Sequence, residues 1–145
     1  MTAEELLQKY AEGKRNFAGI NLANVCLSGM DLRGIDLSRA NLVEADLSSA
    51  NLSFANLRQA NLVKANLMKA NLNHAMLLKA NLSEVQLNAA ILTNAVLVEV
   101  NASHAFMLEA VLTGANFNDA FLRGAIMPDG SEYVPESITG ETYFK

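Results

Sequence analysis

Residues 60–69 contain the same five-residue unit twice, Ala60-Asn61-Leu62-Val63-Lys64 followed by Ala65-Asn66-Leu67-Met68-Lys69. The unit extends in both directions, and its leucine or phenylalanine recurs at every fifth position from Phe17 to Leu97. The spacing continues, with other residue types, through Ala102, Met107, Leu112, Phe117, Leu122 and Met127. A fixed internal period of this kind is typical of a repeat architecture.

A spacing of five residues fits neither an α-helix nor a flat β-strand. On a helix at about 100° per residue, consecutive leucines would stand about 140° apart and spread around the cylinder. On a strand, where side chains alternate, they would fall on opposite faces. A chain that turns a corner once per unit would instead point every leucine at a common axis. The spacing alone is compatible with three, four or five sides.

The chain resembles the pentapeptide repeat family, whose unit is Ala-(Asp/Asn)-Leu-X-X, and the resemblance covers Arg15 to Pro128. It implies an all-β solenoid, a right-handed quadrilateral β-helix of five to six coils with four units in each coil. In that fold the leucine and the small residue two positions before it point inward, and the other three side chains point outward. Leucine-rich repeats are the alternative, but the gaps between their leucines are uneven within each repeat.

The sequence divides into three segments. We predict a capping helix over residues 1–14, the β-helix over 15–127 and a C-terminal cap or tail over 128–145. Thr2 and Glu5 form a capping-box pattern, and Gly13 ends the helical pattern. Pro128 and Gly130 indicate a turn after the last repeat. Caps are expected because a bare coil end exposes unpaired backbone groups.

Composition bears on the function and the compartment. Hydrophobic residues make up 51% of the chain, but no run approaches the roughly 18 apolar residues of a membrane span, so no membrane partner is expected. Glu4 and Glu5 stand where a secretory signal would carry basic residues. The single cysteine, Cys26, has no partner for an internal disulfide, which suits a reducing compartment. We expect a cytoplasmic protein.

The pattern offers no catalytic constellation. His74 and His104 are six units apart, or one and a half coils, which would place them on opposite faces. A metal site needs three or four convergent ligands. The outward serines lack a base and an orienting acid at triad spacing, and no glycine-rich phosphate loop precedes a helix. The prediction is a protein that is not an enzyme and that uses no metal or cofactor.

With four sides, residues four units apart form columns along the axis. One column contains Asn21, Asn41, Asn61, Asn81 and Asn101. Asparagine ladders can hydrogen-bond along a stacking axis, so we interpret this column as structural. On the same face Glu44, Lys64 and Glu84 alternate in sign, which predicts a solvated face with ion pairs contributing about 0–1 kcal/mol each.

Apolar residues accumulate at outward positions toward the C-terminus. The candidate interaction surface comprises Met76, Leu78, Val96, Val98, Phe106, Leu108, Phe121 and Ile126. The four residues from Met76 to Val98 form a block on one flank, and Phe106 and Leu108 lie on the opposite face. Such surface usually marks a contact. Three interpretations stay open: coverage by the C-terminal tail, a homodimer through the C-terminal apolar surface, or an unidentified protein partner.

Two non-enzymatic functions follow. The first is a protein-interaction scaffold that presents a rigid rod to a partner protein. The second is DNA mimicry, since some relatives bind DNA gyrase, a topoisomerase, as rods of DNA-like width and negative charge. Residues 15–127 contain eight acidic and eight basic residues, and a neutral shaft generates no duplex-like field. The scaffold is therefore favoured, and no nucleic-acid partner is expected, for want of a basic stripe. Both ends resemble stand-alone pentapeptide proteins of cyanobacteria.

Overall fold

The structure is a computed structural model that describes residues 1–134. Most of the predicted C-terminal segment, residues 135–145, lies outside the described residues. One helix, α1 (Ala3–Ala11), precedes the repeats. In the part of the chain that the structure describes, the β-structure consists of isolated bridges without longer strands, because the chain turns again with every unit.

The backbone pairing establishes four sides per coil. Every parallel bridge joins residues four units apart, such as Asn41 with Asn61 and Asn61 with Asn81. The Leu42 N–H donates to the Asn61 carbonyl at 2.7 Å, and the Asn61 N–H donates to the Ala40 carbonyl at 3.0 Å. Each coil thus contains four units and pairs with the coils above and below it. Among the three, four or five sides that the spacing allowed, the structure has four.

The four faces are named in chain order by the central inward residues of their units. The first face has the units of Phe17, Leu37, Leu57, Leu77, Leu97 and Phe117; the second has those of Leu22, Leu42, Leu62, Leu82, Ala102 and Leu122; the third has those of Leu27, Leu47, Leu67, Leu87, Met107 and Met127; and the fourth has those of Leu32, Leu52, Leu72, Leu92 and Leu112. The first face is opposite the third, and the second is opposite the fourth.

The core is a column of inward side chains along the axis. Leu62 and Ala60 are both fully buried, and the same two positions are buried in almost every unit. Burial of one leucine contributes about 1.5–3 kcal/mol relative to exposure. Because each coil packs only on its neighbours, the fold gains this stabilisation coil by coil.

Each corner is a β-turn with an unusual backbone conformation. The Ala65 N–H donates to the Leu62 carbonyl at 3.0 Å, which closes a four-residue turn. Its third residue, Lys64, has a φ of 58°, as the type II turn requires. Residues with side chains occupy this left-handed conformation in most units, including Arg39 and Glu84. Their residue types do not indicate it, because glycine is the usual residue there.

The column of asparagines has the structural role that we expected, but through a different hydrogen bond. The amides form local turns in place of a ladder along the axis: the Val63 N–H donates to Asn61 Oδ1 at 3.2 Å, and the Ser83 N–H donates to Asn81 Oδ1 at 3.1 Å. Asparagine and aspartate favour this bond to the backbone two residues on. Glu44, Lys64 and Glu84 are exposed, as expected of a solvated face, and no salt bridge joins Lys64 to Glu44 or Glu84 within residues 1–134.

Helix α1 covers the open top of the first coil. Thr2 caps it by accepting from the Glu5 N–H at 3.1 Å, and Leu6 is fully buried in the repeat core. The Tyr10 hydroxyl donates to the Arg33 carbonyl at 2.7 Å, and the Arg15 guanidinium lies 3.7 Å from the Tyr10 ring centroid. The helix thereby gives one upward carbonyl of the coil a partner.

The chain reverses direction after the last unit. The Met127 N–H donates to the Ser131 carbonyl at 2.7 Å, and the Tyr133 N–H donates to the Ala125 carbonyl at 2.7 Å. The Ser131 hydroxyl and N–H both donate to Asp129, which lowers the pKa of that carboxyl. The turn sets Tyr133 partly buried against the core.

Replacing one inward leucine tests the axial core. Leu62→Ala is expected to lower the free energy of unfolding by about 2–5 kcal/mol, because the two neighbouring coils cannot close the cavity. Lys64→Ala, two residues away and outward, is the control, with a change within about 0.5 kcal/mol. Urea denaturation followed by circular dichroism measures both. Equal losses would contradict an axial core.

Two glycines at the same turn position separate backbone strain from packing. Gly34 (φ 67°) has open space where a Cβ would stand, whereas a Cβ on Gly124 (φ 74°) would collide with the His104 ring. Gly34→Ala is expected to cost about 1 kcal/mol, and Gly124→Ala more. In the double variant Gly124→Ala/His104→Ala, urea denaturation should no longer show this additional loss of stability. If the additional loss of stability persists in the double variant, it comes from backbone strain and not from the collision with His104.

Candidate interaction surface

The histidines and the cysteine lie apart, as the register predicts. His74 is on the fourth face and stacks on Phe54 with ring centroids 4.9 Å apart, while His104 is on the second face. Cys26 is exposed on the third face, with its Sγ 4.0 Å from Asp46. Within residues 1–134, no group of three or more histidine, cysteine, aspartate or glutamate side chains is placed to hold a metal ion.

The first-face patch comprises Met76, Leu78, Val96 and Val98. The bridge between Met76 and Val96 places the two pairs on consecutive coils, as the register predicts. All four side chains are half-buried, since each is flanked by neighbours on a flat sheet. The patch is a low apolar surface without a groove.

The corner patch lies on the other side of the shaft and comprises Phe106, Leu108, Ile126, Ile91 and Val111. Phe106 and Leu108 stand on the third face and are 46% and 44% exposed. Ile126 is half-buried directly below Phe106. Val111, 44% exposed, follows around the corner on the fourth face, with Ile91, 40% exposed, bridged above it. The corner patch is therefore the more exposed of the two.

Sequence reasoning missed Ile91 and Val111. Both occupy the position directly before the inward leucine, where most units have asparagine or aspartate. The same criterion singled out Met76 and Val96, so the signal was present in the sequence.

Phe121 belongs to neither patch. It lies on the second face below Asn101 and is 54% exposed. It lines a depression of about 420 Å³ at the C-terminal end, together with Leu122, Arg123, Tyr133 and Ala120.

Charged side chains form few pairs in residues 1–134. On the fourth face the Arg33 guanidinium donates to both carboxylate oxygens of Asp31, which lowers the pKa of that exposed carboxyl. On the first face Lys79 Nζ lies 3.9 Å from a carboxylate oxygen of Glu99, and both side chains are about half exposed. This second pair borders the first-face patch.

Residues 1–134 contain no helix of the length and hydrophobicity that crossing a bilayer requires.

A four-sided coil with one inward leucine on each side defines a β-solenoid repeat protein. The sequence matches the profile of the pentapeptide repeats over residues 16–53, 50–88 and 90–127. The chain belongs to the pentapeptide repeat family.

Solved structures of cyanobacterial pentapeptide repeat proteins are similar to this chain. HetL from Nostoc sp. strain PCC 7120, described as involved in heterocyst differentiation regulation, is 25% identical, with a TM-score of 0.68 over 92% of this chain and 100% of HetL. Rfr23 from Cyanothece 51142 is 30% identical, with a TM-score of 0.50 over 85% of this chain and 94% of Rfr23. A comparison with curated protein sequences gives no significant match.

Proposed function

We propose that this protein is a non-catalytic, cytoplasmic scaffold that binds a partner protein through the corner patch. The observation that carries the proposal is the exposure of Phe106, Leu108, Val111 and Ile91, four large apolar side chains on adjoining faces. Contiguous exposed apolar surface marks interaction sites on proteins of this size.

The fold does not need apolar residues at these sites. Asn61 and Asn81, at the same position of other units, accept a backbone hydrogen bond that closes their own turn. Ile91, Phe106 and Val111 cannot accept that bond. At Ile91 and Val111 this gives up a local interaction worth about 0.5–1.5 kcal/mol, which supports a role outside the folding of the chain. After Phe106 the Leu108 N–H donates instead to Asn88 Oδ1 of the coil above, at 3.1 Å.

The corner patch has the features of a protein contact. Phe106 supplies the large aromatic surface that central interface residues typically have. Leu108 lies on the same face, and Val111 and Ile91 lie on the adjoining one. Flat outward walls suit a protein surface better than a small substrate, which is usually bound in a concave pocket. The proposal therefore includes neither a cofactor nor a reaction. HetL's role in regulating differentiation supports a binding function by analogy alone.

DNA mimicry is the weaker alternative because of the charge distribution. The acidic residues of the shaft are matched in number by basic ones, and two of them, Asp31 beside Arg33 and Glu99 beside Lys79, have a cation close by. A surface that replaces a duplex needs dense negative charge, since DNA carries one phosphate per about 1.7 Å.

Restoring asparagine tests the corner patch without disturbing the fold. The triple variant Ile91→Asn/Phe106→Asn/Val111→Asn replaces each apolar residue with the family's usual residue. Cys26→Asn, at the same unit position on the third face, is the matched control. In affinity capture from extracts of the source cell, with quantitative mass spectrometry, wild type and Cys26→Asn should enrich the same protein and the triple variant should lose it. Retention by the folded triple variant would refute the proposed surface.

A supercoiling assay with DNA gyrase tests the alternative. We expect no inhibition at low micromolar protein, because the shaft lacks net negative charge. A gyrase-binding pentapeptide protein serves as the positive control. Dose-dependent inhibition would reverse the order of the two functions.

A further inference from the structure

We propose that the first face is a self-association surface, on which two copies of the chain pack face to face with their shafts antiparallel. The occupant of the first-face patch is then a second copy of this chain. This inference goes beyond the scaffold function and does not depend on it, because the corner patch lies on other faces.

The order of residues along the first face makes it complementary to itself. Its upper coils carry the basic residues Arg39, Arg58 and Lys79 and one acidic residue, Asp36, and its lower coils carry the acidic residues Glu99 and Asp119. Lys79 and Glu99 lie beside the apolar patch, in the same two coils. Reversing one copy brings the basic half of each face over the acidic half of the other. An isologous two-fold contact requires this self-complementarity.

A two-fold axis between the coils of Leu77 and Leu97 fixes the register. Each outward position in the coil of Leu77 then faces the same position in the coil of Leu97 of the second copy. Met76 faces Val96 of the second copy, and Leu78 faces Val98 of the second copy. One coil farther out, Asn56 faces Asn116 of the second copy. Apolar residues meet apolar ones and amides meet amides, so no charge is desolvated against a hydrocarbon side chain.

Both edges of the face match in the same register. Along one edge, Lys79 faces Glu99 of the second copy, which joins two intramolecular pairs into a cluster of four alternating charges. Along the other edge, Phe54 faces Gly114 of the second copy. The Phe54 ring is 62% exposed and protrudes from its corner, whereas Gly114 has no side chain. The Asn94 side chain of that copy fills the space where a Cβ on Gly114 would stand, so the Phe54 ring meets a small amide and not a second large side chain.

Other arrangements of the same face fail this test. An axis at the level of Leu77 sets Lys79 against Lys79 of the second copy. An axis at the level of Leu97 sets Glu99 against Glu99 of the second copy. Like charges opposed in a contact are unfavourable. A parallel arrangement sets Met76 against Leu78 of the second copy and Val96 against Val98 of the second copy, but it carries Lys79 to the edge opposite Glu99 and leaves these charges without a partner across the contact. The antiparallel register between the two coils is the one that the residues favour.

The contact is small. About four coils at roughly 4.8 Å each take part, and one face of so short a shaft is smaller than the roughly 800 Å² per partner of a standard interface. We therefore expect a reversible dimer with a dissociation constant in the micromolar range.

Charge reversal tests both the dimer and its register. Sedimentation equilibrium from low micromolar to sub-millimolar protein should show a monomer–dimer equilibrium for wild type. Lys79→Glu alone and Glu99→Lys alone should each weaken it by roughly tenfold or more. A mixture of the two variants should dimerise again, since every cross pair then joins Glu to Lys. Arg39, Gln59 and Asp119 occupy the same turn position, so the fold tolerates both changes.

A control variant and a shortened chain complete the test. Arg123→Glu, a charge reversal on the second face, is the control and should dimerise as wild type does. A monomer at every concentration, or a mixture that fails to recover, would overturn the proposal. A chain ending at Val134 that dimerises when the full chain does not would also overturn it, in favour of the chain's own C-terminal segment as the occupant.

Discussion

The left-handed corner of each unit is the constraint on which the rest of the molecule depends. A residue such as Lys64, at φ 58°, turns the backbone at a corner of the square. The next alanine then points toward the axis again. This conformation costs a residue with a side chain about 1–2 kcal/mol. The burial of one leucine per unit, worth about 1.5–3 kcal/mol, offsets it. The unit of Ala102, which has no leucine, keeps the turn with His104 at φ 57°, because its backbone is paired with the coils above and below.

That balance explains what the sequence could reveal. The inward column could be predicted from Phe17 to Met127, because a turn after every five residues is needed to bury every leucine. The apolar sites at Met76 and Val96 were legible as exceptions to asparagine. The turn conformation was not, since lysine, arginine and glutamate give no signal for positive φ. The structural role of Asn61 could be predicted, but its local hydrogen bond to the Val63 N–H could not, because a local turn and a ladder along the axis require the same composition.

The surface of the shaft differs between its upper and lower coils and between its faces. Its upper coils present amides, serines and charges, and its lower coils replace several of these with hydrocarbon side chains on two separate sides. Phe106 and Val111 lie away from Met76 and Val96, so two different contacts can form without competing. If both proposals hold, one assembly offers two copies of the corner patch, each turned away from the shared plane, and binds its partner twice.

The four-unit coil also has a genetic corollary. Insertion or loss of a single unit between Val98 and Phe106 would leave the core continuous, yet it would rotate everything downstream by a quarter of a revolution. Phe106 would then point along a different azimuth from the one it has beneath Gln86. Changes of one whole coil, by contrast, alter only the height of a feature. Unequal recombination among such similar segments can therefore move a binding surface to another face of the shaft without changing its residues.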